Sequence, residues 1–73
     1  MQTTPVKLLD VAALLEDKPA EKLVAGRVGT VAEVLALGVF EVEFLDSKGR
    51  TFAVAELKRE ELLALRHELL TAA

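Results

Sequence analysis

The clearest pattern along the chain lies at Val39–Leu45, where Phe40, Val42 and Phe44 alternate with Glu41 and Glu43. Strict alternation of apolar and charged residues divides them between the two faces of a strand, so the aromatic residues are expected inward and the glutamates in water. Asp46-Ser47-Lys48-Gly49 follows. It has the composition of a tight hairpin turn, with glycine where a positive φ is needed. Arg50–Ala55 returns as the partner strand, with Phe52 and Val54 expected inward. On the same alternation Val39, Leu45, Ala53 and Ala55 are expected to point away from the core.

Upstream, Val11–Leu15 is a short apolar run stopped by Glu16-Asp17-Lys18-Pro19. Its length and the following proline favour a strand. Ala20–Ala25 is a connection that Leu23 and Val24 are expected to pin to the core. Gly26 closes it at a turn that calls for a positive φ. Gly29 stands inside the Val-rich strand that runs to Leu35, where a glycine signals a bulge or a close backbone approach. Ala36-Leu37-Gly38 is the turn into the next strand.

The last third admits two readings. Glu56–Leu70 is rich in Leu, Glu, Ala and Arg, and propensity alone makes it a helix packed on a four-strand meander. Such a meander leaves two open edges. A short strand at Leu62-Leu63-Ala64-Leu65, after one helical turn at Leu57–Glu61, would instead close the sheet into a small all-β barrel of five strands. The second reading is preferred. It divides the chain into a loose leader (1–7), a barrel domain (8–67) and a C-terminal tail (68–73).

Composition narrows the chemistry. With 73 residues, 52% of them hydrophobic, the chain is one domain with a sufficient but not generous core, so it needs tight packing or a partner. There is no Cys, which removes disulfides, thiolate metal sites and cysteine nucleophiles. The single histidine, His67, cannot build a multi-histidine site and is expected to be solvated beside Glu68. No apolar run is long enough to cross a bilayer, and the first residues do not read as a secretory signal, so a cytoplasmic address is the expectation. Nine basic against twelve acidic residues give a net charge of −3, which disfavours phosphate backbones. Trp and Tyr are absent, so neither base-stacking platforms nor polyproline grooves are expected.

Taken in order, Leu9-Asp10-Val11, Leu14-Leu15-Glu16-Asp17, Gly26-x-Val28-Gly29-Thr30-Val31, Glu33-Val34-Leu35, Glu41-Val42-Glu43-Phe44 and Gly49-Arg50-Thr51 form a pattern spanning about Leu8 to Leu65. That pattern resembles domain of unknown function 4926, a family of small uncharacterised bacterial proteins. The resemblance implies an SH3-like fold of five strands, with no assigned catalytic or cofactor residues. It also implies a companion role beside a neighbouring gene product, and hence a binding or antitoxin-like function.

The candidate residues are each weighed against a plainer role. Glu41 and Glu43 sit two apart on one strand face, as a cation site or an acid–base pair would require. A solvated face that keeps the sheet soluble explains them better. The Gly26–Thr30 segment resembles a phosphate loop only superficially, since neither a Gly-Lys-Ser/Thr sequence nor a helix follows it. Gly26, Gly29, Gly38 and Gly49 are assigned to turns and bulges. Leu69 and Leu70 lie beyond what a barrel needs, and with Val39 and Leu45 they could make an apolar patch rimmed by Glu41 and Glu43, the candidate interface with another protein. A homodimer through an edge strand or the tail is compatible with the same patch. The alternative is an RNA-contacting accessory domain using Arg27, Lys48, Arg50, Lys58 and Arg59, against the repulsion of Glu41, Glu43, Glu56, Glu60 and Glu61. Catalytic, metal and cofactor sites are not expected, because no nucleophile constellation is present.

Overall fold

A computed structural model of the chain describes residues 5–65. Five strands, β1 (Val11–Leu14), β2 (Val28–Ala36), β3 (Val39–Leu45), β4 (Thr51–Lys58) and β5 (Leu62–Ala64), form one antiparallel sheet in the order β4-β3-β2-β1-β5. The helical elements among the described residues are two 3-10 turns, Pro19–Glu21 in the long β1–β2 loop and Arg59–Glu61 before β5. A long first loop, two hairpins and a 3-10 turn leading to a last strand beside β1 make the SH3-like all-β arrangement. The C-terminal strand reading therefore holds over 62–64, and the helical alternative fails there. The reason is tertiary: Leu62 is fully buried, and β5 satisfies one edge of β1, with Ala12, Ala13 and Leu14 opposite Ala64, Leu63 and Leu62.

Closure differs from the expectation. β5 pairs with β1, and no hydrogen bonds join it to β4, so β4 remains a sheet edge among the described residues. The curled sheet is filled from inside rather than stitched shut. Phe44, Val42, Leu14, Leu23, Leu57 and Leu62 are the heart of that filling. Val6 joins them from the segment expected as a loose leader. Leu23 pins the first loop as expected, whereas Val24 faces solvent.

The second correction concerns β4. Phe52 and Val54, expected inward, are 43% and 48% exposed, while Ala55 is buried, Ala53 packs against the core, and Leu57 is buried. The cause is the phase of the strand: Leu57, Ala55 and Ala53 point inward, which turns Val54 outward, and beyond Ala53 the register shifts, with Leu45 opposite Thr51, so Phe52 is the extra residue of a bulge. Inside, the small Ala53 and Ala55 face the large Phe44 and the Val42 side chain, and Leu57 faces Phe40. Two of these three inward pairs thus set an alanine against a larger residue.

Gly26, Gly38 and Gly49 all have positive φ, as turn glycines should. In the β3–β4 hairpin, Gly49 at φ +80° lets the chain reverse while Asp46 organises the turn. The Asp46 carboxylate accepts from the amides of Lys48 (2.8 Å) and Arg50 (3.0 Å), and its other oxygen meets Arg50 Nε at 3.3 Å. The Arg50 amide, then the Lys48 amide and the Arg50 side chain, hold the Asp46 carboxyl below its usual range. Gly29 answers to the other possibility, close approach. A Cβ there would lie 2.8 Å from the Glu43 carbonyl oxygen and from side-chain atoms of Val42 and Phe44.

Candidate protein interface

The sheet face turned away from the core collects the side chains of interest, because residues paired across strands share a face. Four rows cross it. In the first, Val39 stands between Ala36 and Lys58. In the second, Glu41 stands between Glu33 and Glu56, which lines up three carboxylates over three strands. In the third, Glu43 stands between Thr30 and Val54, and Val11 lies beyond Thr30. In the fourth, Leu63 faces Ala13 and Ala13 faces Val28, while Leu45 faces Thr51 at the far side.

Local contacts fix several of these groups. The Thr51 hydroxyl donates to Glu43 Oε2, which ties that glutamate to β4. The Arg27 guanidinium lies 4.5 Å from the centre of the Phe52 ring and reaches the Leu45 carbonyl oxygen at 3.5 Å. It covers one side of an otherwise exposed aromatic residue. By contrast, no ion pair engages Glu33, Glu41 or Glu56 among the described residues. Like charges directly opposite one another on a sheet repel. Among the described residues nothing of opposite charge is paired with this register of three glutamates.

The interface residues inferred from sequence are thus partly united. Glu41, Glu43 and Leu45 share the outer face, Leu45 exposed and the glutamates half-exposed. Val39 begins the same strand but is half-buried. Leu69 and Leu70 lie outside the described residues. Ala53 and Ala55, expected on this face, belong to the core side. Sequence reasoning missed Phe52 and Val54, and with them Glu33, Glu56, Val11, Val28 and Leu63. A signal was present: Glu56 and Lys58 are polar and Leu57 is apolar, so counting back by twos from Glu56 puts Val54 and Phe52 outward.

One ion pair stands apart from this face. Lys18 Nζ bonds Glu61 Oε2 and joins the first loop to the 3-10 turn before β5, while Glu61 Oε1 accepts the Lys58 amide at 2.8 Å. The hydrogen bond to Glu61 raises the Lys18 pKa. Burial pushes the Glu61 carboxyl up, but the Lys18 bond, the Lys58 amide and the two lysine charges outweigh it and hold it below the usual range. The arrangement is a structural clasp, with both members satisfied. Among the described residues no three His, Cys, Asp or Glu side chains gather as metal ligands, and no helix is long and apolar enough to cross a membrane.

The family model for domain of unknown function 4926 matches residues 8–64 of this chain. The chain belongs to that family. No curated protein matches it, and no solved structure does.

Proposed function

We propose that the chain is a non-enzymatic protein-binding module, a companion to another protein that it engages through the outer face of β2, β3 and β4. The observation that carries this reading is the company of Leu45, Phe52 and Val54, exposed on that face, with the Glu33–Glu41–Glu56 row, which no ion pair engages among the described residues. Exposed apolar side chains beside an acidic row suit a surface that presents apolar and basic side chains together. The chain's net charge of −3 favours the same partner at long range. An antitoxin-like role, in which the acidic face covers a basic functional surface of the partner, is the specific form proposed.

The test is recovery of the tagged chain from its source cells after nuclease treatment, beside a Glu41→Lys/Glu56→Lys variant. The reading expects a discrete protein held by the wild-type chain and lost from the variant. Capture that disappears on nuclease treatment would favour RNA contact instead. Capture indifferent to both substitutions would contradict the assigned face.

A further inference from the structure

The outer face ends at β4, and along β4 the outward backbone groups of Val54 and Glu56 have no partner among the described residues. The Arg59 amide donates to the Gly38 carbonyl at 2.9 Å, and Val39 stands opposite Lys58. Antiparallel pairing alternates, so Leu57, Ala55 and Ala53 exchange hydrogen bonds with β3 while Val54 and Glu56 turn their N–H and C=O groups to the open side. The Lys58 amide is already taken by Glu61. β4 is eight residues long and contains neither Pro nor Gly. Such an edge is a template for one more strand.

The side chains along this edge say what that strand should carry. A residue set opposite Glu56 would extend the Glu33–Glu41–Glu56 row to a fourth position. A carboxylate there would add to the repulsion and a cation would relieve it. A residue opposite Val54 extends the row in which Glu43 is already engaged by Thr51, and there an apolar side chain gains contact. A second copy of β4 fits less well. Pairing about Ala55 would set Glu56 against Val54, and pairing about Glu56 would set the two Glu56 side chains together.

From this geometry we infer that β4 accepts an extended segment of a partner protein as a sixth, antiparallel strand, with Lys or Arg opposite Glu56 and an apolar residue opposite Val54. The inference rests on the protein-binding reading above and specifies the contact within it. Backbone bonds at Val54 and Glu56 supply affinity in any sequence, and the glutamate row supplies the choice of a basic residue.

The test uses the full chain and two synthetic peptides capped at both ends. One is Thr-Thr-Arg-Thr-Val-Thr-Val, and its twin has Glu in place of Arg. Read antiparallel, the third residue falls opposite position 56 and the fifth opposite position 54. Backbone amide resonances of Val54 and Glu56 should shift with the Arg peptide, which should bind about tenfold more tightly than its twin at low salt. The preference should shrink in high salt. Glu56→Lys should reverse it, and Val54→Pro, which removes an outward N–H, should abolish binding while keeping a folded amide spectrum. Absence of binding, or equal binding of the two peptides, overturns the inference. Shifts at Thr30 and Glu41 with the Val54 and Glu56 amides unmoved overturn it too, yet leave the outer-face reading standing. Concentration-dependent dimerisation that shifts the β4 amides without peptide would identify a second copy as the occupant and overturn the partner-strand assignment.

Discussion

The Cβ position of Gly29 lies 2.8 Å from Cδ2 of Phe44, so the Phe44 ring occupies the space that any side chain at position 29 would need. The Glu43 carbonyl oxygen is equally near, and backbone cannot swing aside as a flexible side chain would. Gly29→Ala should therefore destabilise the fold by about 1–3 kcal/mol, the usual cost of overpacking. Denaturant unfolding would show the midpoint falling. An unchanged midpoint would mean that β2 and β3 are less closely apposed.

The two phenylalanines on either side of the β3–β4 pair should behave very differently. Phe44 is fully buried, and Phe44→Ala should cost about 3–5 kcal/mol, enough to unfold much of so small a domain. Phe52 is 43% exposed, and Phe52→Ala should cost only about 1 kcal/mol, largely the lost Arg27 contact. Thermal melts of the two variants test the assignment of β4's faces. Equal losses would return Phe52 to the core.

Proline should discriminate between neighbouring positions in β4. Ala55→Pro removes an N–H that points to β3, at about 1–3 kcal/mol for the bond left unmade. Val54→Pro removes one that points to the open edge, where proline is tolerated. The expected result is a lower melting temperature for the first than for the second. The reverse order would place the open edge on the other phase of the strand.

Acid should loosen the hairpin and the clasp together. Asp46 and Glu61 both have depressed pKa values in the folded chain. Groups depressed on folding contribute stability that is present above their unfolded values, about 3.9 and 4.3, and lost as pH falls through the lower folded ones. Stability should thus decline below about pH 4, and Asp46→Asn with Glu61→Gln should flatten that decline. Lys18 has the opposite sign: its raised pKa gives stability present below about 10.4 and lost as pH rises through the folded value. Melting curves from acid to alkaline pH read both limbs.

Much of this was legible in the chain. The strict alternation at Phe40–Phe44, the Asp46–Gly49 turn and the positive-φ glycines are local signals, each carried by a few adjacent residues, and the fold keeps them. The strand at Leu62–Ala64 was legible only by asking what would satisfy an open edge, since its own residues favour a helix. β4 misled because its larger apolar residues, Phe52 and Val54, lie outside and its alanines inside. Core volume there is set by Phe44 and Val42 across the pair, so size misleads where the polar–apolar phase set by Glu56, Leu57 and Lys58 would not. Likewise the glutamate row depends on three strands meeting in register, with an extra residue in β2 between Val31 and Glu33 that shifts Glu33 opposite Glu41.

The central claim, that the outer face and open edge of β4 receive a partner protein, is tested most directly by photo-crosslinking in the source cells. A crosslinking amino acid is placed at position 41 or 54 on that face, or at position 20 in the first loop as a control. The account predicts one discrete protein adduct from positions 41 and 54 and none from position 20. No adduct from 41 or 54, or the same adducts from all three positions, would contradict it.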